Sequence, residues 1–130
     1  MQSFENSAKA QVERHDDIVL AFLFGSAAAG RETPASDLDI ALLFREAPSR
    51  ERVEAIRQAL EQATGREIDL VLLNDASPII RMQVLKKGIP LIRRGRAYEA
   101  FFTRTVNEYE DLKYQRREIE KNIHRGRIHA

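Results

Sequence analysis

Gly25-Ser26, ten further residues, and then Asp37-Leu38-Asp39 form the stretch of this chain whose residue types and spacing can do chemistry. It lies where one apolar run, Ile18–Phe24 (IVLAFLF), hands over to another, Leu38–Phe44 (LDIALLF). A strand advances about 3.3 Å per residue and alternates its faces, which puts Asp37 and Asp39 on one side, roughly 6–7 Å apart along the chain. Two carboxylates on one face, beside a Gly-Ser turn, suit a Mg²⁺ site that receives a nucleoside triphosphate. Asp69, in the middle of a third apolar run (EIDLVLL), would complete the site as a third acid. The chemistry this set supports is nucleotidyl transfer.

Mg²⁺ takes hard oxygen ligands in an octahedron, usually one or two protein carboxylates with phosphate oxygens and waters. Two such ions, about 3.5–4 Å apart, can clamp the attacking and leaving oxygens of an in-line displacement, and two are expected here. Asp69 is flanked by Ile68, Leu70, Val71, Leu72 and Leu73, so its strand reads as buried. An unpaired carboxylate there would cost on the order of several kcal/mol and must find a partner. Gly25 lets the backbone turn sharply and a phosphate come close. Ser26 opens what reads as a short helical turn (SAAAG), whose free N–H groups favour anions, and its hydroxyl can donate to the terminal phosphates. Singly, each feature has an ordinary explanation: an Arg partner for Asp69, a loop-closing cap for Asp37 after Ser36, a common turn for Gly-Ser. Their combination at this spacing favours one shared site.

The elements that position these residues follow from periodicity. Phe4, Ala8 and Val12 recur every four residues and predict a helix over 4–15. Ile18–Phe24 reads as a strand buried on both faces, Ser26–Gly30 as a helical turn, Arg31–Ser36 as a polar loop and Leu38–Phe44 as a strand. Ser49 is the expected N-cap of a helix with Val53, Ile56 and Leu60 as its apolar stripe and Gly65 at its end. Glu67–Leu73 is the third strand. Ser77-Pro78 starts a helix that stops at Gly88, and Ile89–Ile92 is a short fourth strand whose Pro90 argues for an edge. From Arg96 to about His124 one long helix is predicted, with Tyr98, Phe102, Tyr109, Leu112, Ile119 and Ile123 as its stripe, interrupted by Thr105 and Arg116. The order α-β-α-β-α-β-α-β-α describes an α/β (α+β) fold, a small mixed sheet backed by helices. The expected organisation is one domain, a core over 1–95 continuous with a helical segment over 96–130.

Composition narrows the class. The 130 residues, 43% hydrophobic and 32% charged, are those of a globular protein that can bury a real core. No apolar run is long enough for a membrane helix and no signal peptide opens the chain, so the cytoplasm is the expected compartment. The absence of cysteine excludes a disulfide scaffold and thiolate metal sites. A net charge of +1 gives no global pull toward nucleic acid. His15, His124 and His129 have no metal-ligand spacing and read as surface residues.

The string FGSAAAGRETPASDLDI resembles the GS-x10-D-x-D signature of the polymerase-β-like nucleotidyltransferase superfamily. More narrowly, the chain resembles the minimal nucleotidyltransferases, especially the MntA-type antitoxins paired with HEPN-domain toxins. The resemblance covers nearly the whole chain. It implies that Gly25 and Ser26, with Gly30, Arg31 and Ser36 around them, hold the triphosphate of ATP. It also implies that Asp37, Asp39 and Asp69 ligate Mg²⁺, with Asp69 doubling as candidate base. Members often carry an Arg between the Gly-Ser and the next Gly; here the stretch is Ala27-Ala28-Ala29, and Arg31 is the candidate replacement. The implied reaction is attack by an acceptor hydroxyl on the α-phosphate, with pyrophosphate leaving. The implied acceptor is a tyrosine of a cognate HEPN toxin, which makes the chain an antitoxin.

Two other readings stay open at the level of sequence. One is transfer to a small molecule of the aminoglycoside kind, which usually needs a further helical domain for the acceptor. The other is a non-catalytic antitoxin that neutralises its partner by contact. The basic C-terminal segment (Lys113, Arg116, Arg117, Lys121, Arg125, Arg127) reads either as a solvated helix face or as a docking helix for the partner. Aromatic residues are not interleaved with it, so direct binding of nucleic acid is not expected.

Overall fold

The computed structural model describes residues 3–31 and 37–124. The elements are α1 (Ser3–Glu13), β1 (Ile18–Phe24), β2 (Leu38–Phe44), α2 (Arg50–Thr64), β3 (Ile68–Leu72), α3 (Pro78–Lys87), β4 (Ile89–Arg93) and α4 (Ala97–His124). The strands form one mixed sheet in the order β3-β2-β1-β4. β1 runs antiparallel to both β2 and β4, and α2 carries the chain across so that β3 lies parallel to β2.

Alternation along the strands sorts the core into two layers. Leu38, Ile40, Leu42 and Phe44 of β2 face α1 and α2, where they meet Ala8, Val12, Ile56 and Leu60. Ala41 of β2 and Phe22 of β1 lie in the opposite cluster, with Val84 of α3 and Phe101 of α4. Burying a large aliphatic or aromatic side chain in this way stabilises the fold by about 1.5–3 kcal/mol each. β1 is buried along nearly its whole length, as its unbroken apolar run predicts.

The helix boundaries follow the expected caps. The Ser49 Oγ accepts from the Arg52 N–H at 3.0 Å, and Gly65 closes α2 in the left-handed region at φ 71°. Ser77 caps α3 through the Ile80 N–H at 3.2 Å, with Pro78 in the first turn. Beyond the end of β3, Asn74 acts as a side-chain strand residue. Its Oδ1 accepts from the Phe44 N–H and its Nδ2 donates to the Phe44 carbonyl, both at 2.9 Å, which pins β3 to β2.

The expected helical turn after β1 is present: residues 25–30 are turns, closed by the Ala29 N–H on the Gly25 carbonyl at 3.1 Å. Two expectations are corrected. β3 is an edge strand and not a buried one, so Asp69 is exposed. Its apolar neighbours are there to cover α2 and the second core layer, not to bury the strand on all sides. Along α4 the buried positions are Phe101 and Thr105, while Phe102 and Ile119 of the expected stripe are 45% and 53% exposed. Only the start of α4 lies on the sheet and α3, so the contact geometry there, rather than the whole-helix periodicity, selects the buried face. Ile123 and the basic Arg125 and Arg127 fall outside the described side chains.

Candidate active site

The acids gather because of strand register. Phe24, the last residue of β1, pairs with Asp39 of β2, and Asp39 pairs with Asp69 across the parallel β2–β3 ladder. Asp39 and Asp69 therefore lie side by side on the sheet face shared with α3 and α4. Asp37 precedes β2 by one residue and is exposed at the mouth of the site. Among the described residues no Arg or Lys forms an ion pair with any of these carboxylates.

Gly25 is built into this cluster. It follows Phe24 with φ at +74°, and a Cβ placed there would overlap Asp39 Oδ2 and come within 3.0 Å of Asp39 Cγ. A non-glycine residue would be strained in that conformation and would also displace the carboxylate. The turn continues with the Gly30 N–H on the Ala27 carbonyl at 3.2 Å and the Arg31 N–H on the Ser26 carbonyl at 2.8 Å. Among the described residues the N–H groups of Ser26, Ala27 and Ala28 have no backbone acceptor. Three successive donors without a backbone acceptor, beside a glycine, are the kind of backbone group that can bind an anion. Arg31 is exposed and tied in by its backbone alone. Ser36, the remaining expected phosphate ligand, lies outside the described residues.

The electrostatics are those of an acid cluster short of cations. Partial burial, then the neighbouring Asp69 carboxylate, then Asp37, push the Asp39 carboxyl above its ordinary range. Like charges held together in this way favour a bound cation. Among the described residues no three carboxylates or imidazoles, Asp37, Asp39 and Asp69 included, are grouped closely enough to hold a metal ion by themselves. The donor set still fits a divalent ion that takes one or two carboxylates and completes its shell with phosphate oxygens and water.

Two features were not read from the sequence. The close packing of Gly25 on Asp39 had a partial signal, since the glycine was noted for its turn and not for the acid behind it. His15 is half-buried, not a free surface group: its Nδ1 lies 3.1 Å from Arg52, and Arg52 donates in bidentate fashion to Asp17 at 2.8 and 2.9 Å. That cluster ties the start of β1 to α2, on the far side of the sheet from the aspartates.

A strand–Gly-Ser turn–strand unit with two acids at the start of the second strand and one on its parallel neighbour defines a nucleotidyltransferase. Residues 6–97 match the family described as Polymerase beta, Nucleotidyltransferase, and the chain belongs to that family. The protein adenylyltransferase MntA of Shewanella oneidensis is 32% identical over 100 residues, spanning 77% of this chain and 72% of that protein. A crystal structure of a toxin–antitoxin with AMP-PNP contains a chain that superposes with a TM-score of 0.77 at 28% identity, covering 92% of this chain and 97% of the other. A structure of tri-AMPylated Shewanella oneidensis HEPN toxin in complex with MNT antitoxin gives a TM-score of 0.72 at 27% identity over 94% of this chain and 97% of the other. The family generally implies a nucleotide substrate and a divalent metal. Among the described residues no helix is long and apolar enough to cross a membrane.

Proposed function

We propose that this chain transfers AMP from ATP to a tyrosine hydroxyl of a cognate HEPN-domain toxin, and so serves as the antitoxin of a toxin–antitoxin pair in the cytoplasm. The observation that carries the reading is the Gly25–Asp39–Asp69 cluster, in a chain similar over most of its length to a protein adenylyltransferase and to antitoxin structures.

Asp37, Asp39 and Asp69 would hold the divalent cation, two Mg²⁺ in the full assembly. Gly25, Ser26 and Gly30 shape the triphosphate seat, with Arg31 and Ser36 as further candidate phosphate ligands. When bound, the metal would supply charge neutralisation for the phosphates and the leaving pyrophosphate. Asp69, exposed on the edge strand β3, takes the proton of the attacking hydroxyl. The hydroxyl oxygen bonds to the α-phosphorus as the bond from that phosphorus to the bridging oxygen breaks. Catalysis of this kind rests on positioning and on preorganised charge, which a small sheet can supply. Residues 1–95 form the catalytic part of a single domain, and 96–130 continue it, with α4 over Ala97–His124. The exposed side of α4, with Phe102, Tyr114 and Ile119, offers the toxin a docking face.

The test is the intact mass of the neighbouring gene product after incubation with this protein, ATP and Mg²⁺. Whole AMP units added, and absent with the Asp37→Asn/Asp39→Asn variant, establish the activity. A stable complex without added mass identifies a binding antitoxin instead. Neither result, followed by pyrophosphate release with small acceptors, identifies a small-molecule enzyme.

A further inference from the structure

A second concave feature lies at the other pole of the sheet. A cleft of about 570 Å³ opens where β1 begins and β2 ends, against the first turns of α4. Along β2 it is roughly 17 Å from Asp39, at about 3.3 Å per residue. Its size falls in the range of small-molecule pockets, about 300–1,000 Å³. Apolar side chains line it, Val19, Leu43 and Phe101 among them, together with Arg45, Arg81, Arg94 and Arg104. No Asp or Glu is among the described residues that line it.

The hydrogen bonds of these arginines show which donors are spent. Arg81 is buried and fully engaged, with Nε on the Leu73 carbonyl at 3.0 Å, one terminal nitrogen on the Asn74 carbonyl at 3.2 Å and the other on Glu108 at 3.0 Å. It contributes charge alone. Arg104 shares the same Glu108 through Nε at 3.0 Å and keeps its terminal nitrogens. Arg94 gives one terminal nitrogen to the Glu13 carbonyl at 3.0 Å and sits 3.7 Å from the exposed Asp16, while its Nε is buried with no partner among the described residues. The Arg45 guanidinium has no partner among the described residues. Backbone bonds fix both of these arginines beside β1, with the Arg45 N–H on Asp17 at 2.8 Å and the Arg94 N–H on Val19 at 2.9 Å. Gly95 and Ala97, at the positive end of the 28-residue α4, line the same cleft.

Four guanidiniums against two carboxylates, Glu108 and the exposed Asp16, a buried Nε without an acceptor among the described residues and a helix N-terminus all call for an anion. The guanidinium fork matches phosphate oxygens in bidentate geometry, and a phosphate monoester carries the double charge that several arginines favour over a carboxylate. We propose that this cleft binds an organic phosphate, its phosphoryl group on Arg45, Arg94 and Arg104 and its apolar body against Leu43 and Phe101. The site is separate from the triphosphate seat and needs no metal.

The test is titration of the full chain with AMP in EDTA, reading the Arg side-chain Nε–Hε signals by ¹⁵N NMR. The expected result is a saturable shift of the Arg94 signal, unchanged in Asp39→Asn. Arg45→Gln and Arg94→Gln should each weaken binding roughly tenfold, as expected for one charge-assisted hydrogen bond. Arg45 is exposed, so its variant keeps the test intact if Arg94→Gln fails to fold. Absence of a saturable shift, or a shift that survives both substitutions, overturns the proposal. So does equal binding of benzoate, and equal binding of inorganic phosphate identifies an adventitious ion only.

Discussion

Asp39 and Asp69 are register partners across the parallel β2–β3 pair, two carboxylates placed side by side with no basic residue between them. The arrangement costs stability in the free protein and is repaid only when a cation arrives. Asp39→Asn should therefore stabilise the metal-free protein by about 0.5 kcal/mol, in line with relief of like charges on neighbouring strands. Because the Asp39 carboxyl is pushed above its ordinary range, the wild type should recover the same increment as pH falls through that raised value. Mg²⁺ should raise the melting temperature of the wild type and leave the variant unmoved. Thermal denaturation with and without Mg²⁺, at two pH values, checks all three.

Gly25→Ala tests the contact behind the turn. The substitution meets a positive φ and the Asp39 carboxylate at once, and should cost about 1–2 kcal/mol of stability from the backbone alone. AMP transfer should fall by at least about a hundredfold, the effect of a misplaced reacting group. Gly30→Ala, where a Cβ would meet nothing within 4 Å, should lose only the backbone share. Comparing the two by chemical denaturation and by rate separates strain from displacement.

The Asp17–Arg52–His15 cluster should make the fold acid-sensitive in two windows. Burial, then Arg52, holds the His15 imidazole below its ordinary 6.5, so the unfolded chain protonates first and stability declines as pH falls below that value. The Arg52 hydrogen bond holds the Asp17 carboxyl below 3.8, and the stability it gives is present above 3.8 and lost as pH falls through the lowered value. Arg52→Leu should cost about 0.5–1 kcal/mol at neutral pH, as befits a half-exposed pair. It should also let the His15 pKa rise toward 6.5. Denaturation curves across pH, with the His15 ring followed by NMR, give the outcome.

Thr105 is wholly buried in α4 and its hydroxyl has no partner among the described residues. Thr105→Val keeps the shape and removes the stranded polar group. It should raise stability by about 1 kcal/mol, read as a higher denaturation midpoint.

On the exposed side of α4, Tyr114 and Ile119 are 62% and 53% exposed. Glu at either position should leave the melting temperature within the noise of a surface change. Binding of the cognate toxin, measured by titration calorimetry, should weaken by roughly tenfold or more if that face docks it.

Strand identity was legible because β1 and β2 are unbroken apolar runs, and Ser49, Gly65, Ser77 and Pro78 mark their helices with local chemistry. The closeness of Asp37 to Asp39 was legible from their spacing in the chain, although Asp37 lies one residue before β2. The partner of Asp39 on β3 was not: register between strands separated by a helix is set by α2 and by the Asn74 clamp on Phe44, neither of which has a sequence period. For the same reason β3 read as buried, since an edge strand that covers a helix is as apolar as a central one. The arginine cleft was invisible, because residues 45, 81, 94 and 104 meet only after the chain has crossed the sheet several times.

The glycine at position 25 also shapes how this protein can change over generations. Asp39, packed directly behind it, leaves no room for a graded loss: the first side chain to appear there would displace that carboxylate. The helices and both core layers lie elsewhere and would survive. A descendant with that one substitution would keep its surface, and any partner that grips it, while losing most of the proposed chemistry. Enzymatic and purely adhesive forms of this fold are thus a single codon apart, and position 25 is where a lineage would cross from one to the other.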